Sequence, residues 1–166
     1  MPAYHLPSET ERTGVRMSGQ DLTLAFLVDQ SPAEVFAAIN NVRGWWSEEV
    51  EGRTDALGAV FKYHYKDVHR STQMVTGFVP GQRVVWRVIE SFIGFVKDKA
   101  EWDGTDIVFD IARRNGQTEL RFTHVGLVPG VECYDGCAGA WGFYVTESLR
   151  SLITTGRSTP NHAGRI

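Results

Sequence analysis

Residues 118–156, TELRFTHVGLVPGVECYDGCAGAWGFYVTESLRSLITTG, constrain the fold more than any other stretch of the chain. Leu120, Phe122 and His124 alternate with polar residues, the pattern of a strand with one buried face. After His124-Val125-Gly126-Leu127 the periodicity changes. Trp141, Tyr144, Val145, Leu149, Leu152 and Ile153 give a helix spanning roughly residues 132–155 one apolar side, a length of about 36 Å. Gly156 stands where a helix C-cap belongs. Gly136, Gly139 and Gly142 each weaken the first half of that helix by about 1 kcal/mol relative to alanine. Either the helix begins nearer Ala138, or those glycines leave space against the sheet. A strand with one apolar face and a helix with one apolar side must cover each other, directly or across a gap.

The upstream sequence supplies the rest of a sheet. Leu22, Leu24, Phe26 and Val28 alternate within residues 21–29. Ser31-Pro32-Ala33-Glu34 then starts a short helix: Ser31 caps, Pro32 takes the first position and Glu34 closes a capping box. Val35, Phe36 and Ile39 form its apolar stripe, and Asn40-Asn41 end it. Further strands are predicted over residues 59–65, 71–79, 83–92, 106–113 and 118–125. Phe61, Tyr63 and Tyr65 share one face of the first of these, and Val84, Trp86, Val88 and Glu90 share one face of the third. The turns Pro80-Gly81-Gln82 and Asn115-Gly116 are short, so the strands pair antiparallel. The expected fold is α+β, a curved, mostly antiparallel six-stranded sheet wrapped around a long C-terminal helix. Residues 21–156 form its single domain, with a flexible arm at 1–20 and a loose tail at 157–166.

Composition excludes several function classes. A net charge of −3 argues against nucleic acid, which demands a basic face. No run reaches the roughly 18 apolar residues of a membrane span. The opening residues carry no secretory signal, so a cytoplasmic location is expected. Cys133 and Cys137 share a face if both lie on the helix, at a spacing that does not suit a disulfide inside one. With no further ligands at a zinc spacing they read as structural thiols, and no metal or cofactor is expected.

Several residues carry a family resemblance: Ser31-Pro32-Ala33-Glu34-Val35-Phe36, Trp45-Trp46, Gly58 before Phe61, and Val79-Pro80 leading through Arg83 to Trp86. Others are Trp102-Asp103-Gly104-Thr105 with Val108, Thr118-Glu119-Leu120, His124-Val125-Gly126-Leu127, Trp141, and Ser148-Leu149 through Leu152 to Gly156. The chain resembles the START-like helix-grip (SRPBCC) superfamily over residues 21–156, and within it the heat-shock-protein ATPase activator-like branch. The resemblance implies the helix-grip fold. It leaves function open, since such domains bind lipids, hormones and polyketides, catalyse cyclisations, or assist chaperones. Eukaryotic chaperone activators pair this domain with a separate N-terminal one, whereas only residues 1–20 precede the first strand here.

In that architecture a cavity lies between the concave sheet face and the C-terminal helix. The registers above line it with Phe61, Tyr63, Tyr65, Trp86, Phe109, Phe122, His124, Trp141 and Tyr144. Trp45 and Trp46 stand at its mouth. Any one aromatic is most simply core filling, but so many with polar tips point to a cavity. The leading expectation is binding of a small apolar or amphipathic molecule by a monomer or homodimer. The first alternative is a cyclase, dehydratase or hydrolase using His124 with Glu90 or with tyrosines. The structural readings are a hydrogen-bonded His124 fixing the strand-to-helix turn and a Glu90 solvated at its strand end. The second alternative is a co-factor for a chaperone ATPase. His64 and His69 fall in polar or outward registers and are expected in solvent. Of the adjacent indoles, Trp45 is expected to anchor the first helix and Trp46 to gate the cavity. No phosphate loop or nucleophile elbow is present.

Overall fold

Every strand pairing in the sheet is antiparallel, and the alternation that announced the longer strands matches the faces they bury. The computed structural model describes residues 20–161. In it, β1 (Leu22–Val28) is followed by helices α1 (Pro32–Asn40) and α2 (Val42–Trp45). Six strands come next: β2 (Glu51–Gly52), β3 (Val60–Tyr65), β4 (His69–Val79), β5 (Arg83–Ile93), β6 (Asp106–Arg114) and β7 (Gln117–Val125). They form one seven-stranded sheet in the order β1-β7-β6-β5-β4-β3-β2. The sequence gives no sign of β2, a two-residue edge strand too short to show alternation, so the expected count of six becomes seven.

The C-terminal helix runs without a break from α3 (Tyr134–Phe143) through a π-helical stretch (Tyr144–Leu149) into α4 (Arg150–Thr155). It starts before Ala138 despite its glycines. Gly136 makes room: a Cβ there would stand 3.1 Å from the ring of Phe95. Gly156 ends the helix in the left-handed conformation that glycine adopts without strain, at φ 80°. At α1 the capping box forms as read, with Ser31 Oγ accepting from Glu34 N–H and Glu34 Oε1 accepting from Ser31 N–H.

Two bulges break the β4–β5 ladder. Thr72 faces Glu90 while Gln73 faces Val88, leaving Ile89 as an extra residue, and Thr76 is extra between Val75 and Gly77. A bulge bends its strand and reverses which face the following side chains take. Val84, Trp86 and Val88 are therefore buried, whereas Glu90, expected beside them, is exposed.

The stretch expected as a loose tail instead docks as far as it is described. Asn161 is 4% exposed. Its N–H donates to Trp46 O at 2.9 Å, its Oδ1 accepts from Ser47 Oγ at 2.9 Å, and its O accepts from Glu48 N–H at 2.8 Å. Thr159 N–H donates to Ser148 Oγ, which itself donates to Trp45 O. The expected arm and the last tail residues, 1–19 and 162–166, lie outside the described residues. No helix among the described residues is long and apolar enough to cross a membrane.

Candidate functional site

All five tryptophans of the chain gather between the sheet and the C-terminal helix. Tyr63 stacks on Trp46 with ring centres 4.0 Å apart and planes at 9°, and Trp46 stacks on Trp86 at 5.7 Å. Trp46 also meets Trp141 at 4.9 Å, and Trp141 stacks on Trp102 at 5.8 Å. A helical turn, α2, brings both adjacent indoles into this cluster. Trp45 is fully buried and donates from Nε1 to Ile39 O, which makes it the anchor of α1. Trp46 is 2% exposed, so it is as enclosed as its neighbour rather than placed at an open mouth. Its ring still forms part of a cavity wall.

That cavity, about 320 Å³, opens between the β3–β4 end of the sheet and α3. Of the residues expected to line it, Trp46, Tyr63, Tyr65, Trp141 and Tyr144 do so. Trp45, Phe61, Trp86, Phe109, Phe122 and His124 do not; they pack in the core. Trp86 and Phe109 meet edge to face at 4.9 Å there, with Phe122 against Phe109 at 5.3 Å. The remaining wall is Val68, His69, Phe95, Trp102, Gly136, Cys137, Ala140 and Phe143. Sequence reasoning passed over these. Trp102 and Phe95 sit in the β5–β6 connection, where no periodicity reports direction. The glycine at 136, opposite Phe95, was the available clue. Val68, Phe95 and Phe143 are 37%, 53% and 45% exposed, so the cavity has an apolar rim facing water.

Two histidines flank Trp102. His124, on β7, has both ring nitrogens engaged: Trp141 Nε1–H donates to Nδ1 at 3.0 Å, and Nε2 lies 2.9 Å from Thr105 Oγ1. Since Nδ1 accepts, the proton resides on Nε2 and is donated to Thr105, whose own hydroxyl donates to Trp102 O at 2.7 Å. Burial, reinforced by the proximity of His69, depresses the His124 pKa to about 3. His69, expected in solvent, is enclosed instead. Its ring stands edge-on to Trp102 at 4.4 Å and to Tyr63 at 5.0 Å. Burial lowers its pKa to about 4, and its Nε2 has no hydrogen-bond partner. The inward register of Tyr63 and Tyr65 ends at the tight β3–β4 turn, and His69, paired with Tyr65, folds back onto the cavity side. Tyr63 OH accepts from Asn161 Nδ2 at 3.1 Å and shares a hydrogen bond with Tyr144. Burial holds its phenol proton well above the usual tyrosine range.

The acid–base pair expected of His124 and Glu90 is not assembled. One group is sealed by Thr105 and Trp141, and the other is carried outward by the Ile89 bulge. Glu90 instead borders an open groove of about 900 Å³, together with Glu48, Glu49, Glu51, Lys62 and Arg70. Such charged, solvated walls offer little to exclude water from a ligand, and the smaller aromatic cavity is the better candidate site. Among the described residues, no cluster of three His, Cys, Asp or Glu side chains is arranged to hold a metal ion.

This arrangement, a seven-stranded antiparallel sheet closed over a C-terminal helix with an aromatic cavity between them, defines a helix-grip-like α+β protein. Solved structures share it. The solution structure of the Aha1 dimer from Colwellia psychrerythraea is 21% identical, with a TM-score of 0.67 over 84% of this chain and 99% of that one. The Mll3558 protein from Rhizobium loti is 20% identical, with a TM-score of 0.61 over 81% of this chain and 96% of that one. DynU16, a putative protein in the dynemicin biosynthetic locus, is 16% identical, with a TM-score of 0.61 over 85% of this chain but 49% of its own. No family model matches the sequence, and no curated protein matches it.

Proposed function

We propose that the chain binds a small amphipathic molecule with an apolar, preferably planar, body in the cavity between β3–β4 and α3. The observation that carries this reading is the wall itself. Tyr63, Trp46, Trp141 and Trp102 present aromatic surface, while His69 offers one ring nitrogen without a partner. Such a combination, mostly apolar with few polar groups, is how small-molecule sites fix both affinity and orientation. A volume of about 320 Å³ sits at the lower end of the range for such sites. The exposed rim of Val68, Phe95 and Phe143 gives an apolar ligand a path from water. Native mass spectrometry of protein purified from its own source tests the reading. A stoichiometric small-molecule adduct, lost on substituting a wall residue, supports it. Apo protein together with failure to take up any planar amphiphile rejects it.

A second reading, service to a chaperone ATPase, is favoured by the likeness to the Aha1 dimer. Adding the protein to the chaperone and measuring ATP turnover tests it, and unchanged turnover at saturating protein ends it.

A further inference from the structure

The two cysteines occupy positions that their spacing alone did not reveal. Cys133 is not inside the helix. It is the residue just before α3, with φ −80° and ψ 0°, and its N–H donates to Glu101 Oε1 at 3.0 Å. Cys137 closes the first turn by donating its N–H to Cys133 O at 2.8 Å. Freed from regular helical geometry at one end, the two side chains converge. Their sulfurs stand 2.7 Å apart, well inside ordinary sulfur–sulfur contact, and both thiols are free. A covalent bond would require them to approach by only roughly 0.7 Å more. Inside a helix, by contrast, side chains at this spacing start about 5–6 Å apart at Cβ, too far for a disulfide.

The surroundings decide how such a bond would form. Cys133 and Cys137 are 1% and 4% exposed, so neither meets bulk water directly. Cys137 is part of the cavity wall, and a small oxidant entering the cavity reaches its sulfur first. Cys133 lies behind it. The hydrogen bond shared with Cys137, in which Cys133 keeps its proton towards the Cys137 sulfur, then burial, then the nearby Cys137 and Glu101 charges push the Cys133 thiol pKa upward. Cys133 is therefore a poor first nucleophile and suits the second, resolving role.

We propose that Cys133 and Cys137 form a reversible disulfide across the first turn of α3, made by a hydroperoxide that enters through the aromatic cavity. The Cys137 sulfur attacks one oxygen of the peroxide. The O–O bond breaks, giving a sulfenic acid on Cys137 and one molecule of water (an alcohol if the peroxide is organic). The Cys133 sulfur then attacks the sulfenyl sulfur, an S–O bond breaks, an S–S bond forms, and a second water leaves with the two remaining protons. Two thiols are oxidised and one peroxide is reduced. A dithiol reductant reverses the reaction by exchange. The product staples the turn that carries Gly136 and Cys137, two positions of the cavity wall.

Intact-mass spectrometry of the folded, reduced protein exposed to hydrogen peroxide tests this without reference to any ligand. The expected product has lost about 2 Da and returns to the starting mass with dithiothreitol. C133S should yield no such product and instead gain about 16 Da or more at Cys137. Thiol alkylation after urea unfolding locates the change whether or not that variant folds well. Oxygen addition to the wild type without the loss of about 2 Da would overturn the proposal, as would two thiols that stay alkylatable after prolonged exposure.

Discussion

His69 and His124 both stand edge to face against the same indole, Trp102, and differ in one respect that separates the cavity from the core. Both are held neutral by burial. At His124 both ring nitrogens have partners, in a chain from Trp141 through the imidazole to Thr105 and the Trp102 carbonyl. On the His69 side Nε2 has none, and the neighbouring wall opens to water past Phe95 and Phe143. A buried polar network that is complete fixes a core, whereas one with a vacancy beside a cavity is a place for something else to bind. On the proposed reading the same residue type serves structure at His124 and recognition at His69.

Removing an indole from each side is the severest test of that division. Trp45→Ala, on the sealed side, should lower stability by about 3–5 kcal/mol in urea unfolding, with ligand affinity retained in whatever fraction stays folded. Trp46→Ala removes a ring shared by core and cavity wall, so it should cost stability and also weaken binding. Equal losses of stability with unchanged affinity for both variants would dissolve the distinction between them.

Lowering the pH sharpens the comparison. Each histidine titrates near 6.5 when unfolded, but near 4 (His69) or 3 (His124) when folded. Because the folded pKa values are depressed, the contribution is full above about pH 6.5 and is lost as pH falls towards the folded values. Between pH 7 and pH 5 each should contribute about 2 kcal/mol of lost stability. Replacing His69 with Gln should remove its share of the slope and leave that of His124. A flat profile over this interval would contradict the burial assigned to both rings.

Thr105→Val breaks only the sealed side. It deprives His124 Nε2–H of its acceptor in a fully buried setting, an expected loss of about 1–3 kcal/mol with cavity binding preserved. Gly139→Ala, on the exposed side of α3, should do the reverse and raise the thermal midpoint modestly. No atom lies within 4 Å of the added methyl, and alanine in a helix gains up to about 1 kcal/mol over glycine.

Much of the scaffold was legible in the sequence because two periodicities and one capping box carry it. The α1 start, the inward face of β3 and the Gly156 stop all follow from short-range rules. The site was legible only in part. Tyr63, Tyr65, Trp141 and Tyr144 were placed by register. Glu90 takes the solvated strand-end position, one of the two readings open to it, because a bulge at Ile89 inverts the face with no local signal. His69, Phe95 and Trp102 lie where turns and long connections decide direction, and there alternation says nothing. The π-helical stretch at Tyr144–Leu149 is a tertiary outcome as well. Its Ser148 is tied to Trp45 O and to Thr159, and neither contact is readable from spacing.

The central claim is that the His69 side of Trp102 is a ligand site. Ala140 lies on its wall, exposed on a helix, so Ala140→Trp should fill the cavity from the rim without disturbing the core. The decisive measurement is a fluorescence titration of both proteins with 1-anilinonaphthalene-8-sulfonate, an amphiphile with a planar naphthalene body. Saturable one-to-one binding by the wild type, weakened at least about tenfold in Ala140→Trp at an unchanged thermal midpoint, is the predicted result. Equal binding by the two proteins, or none by the wild type, would contradict it.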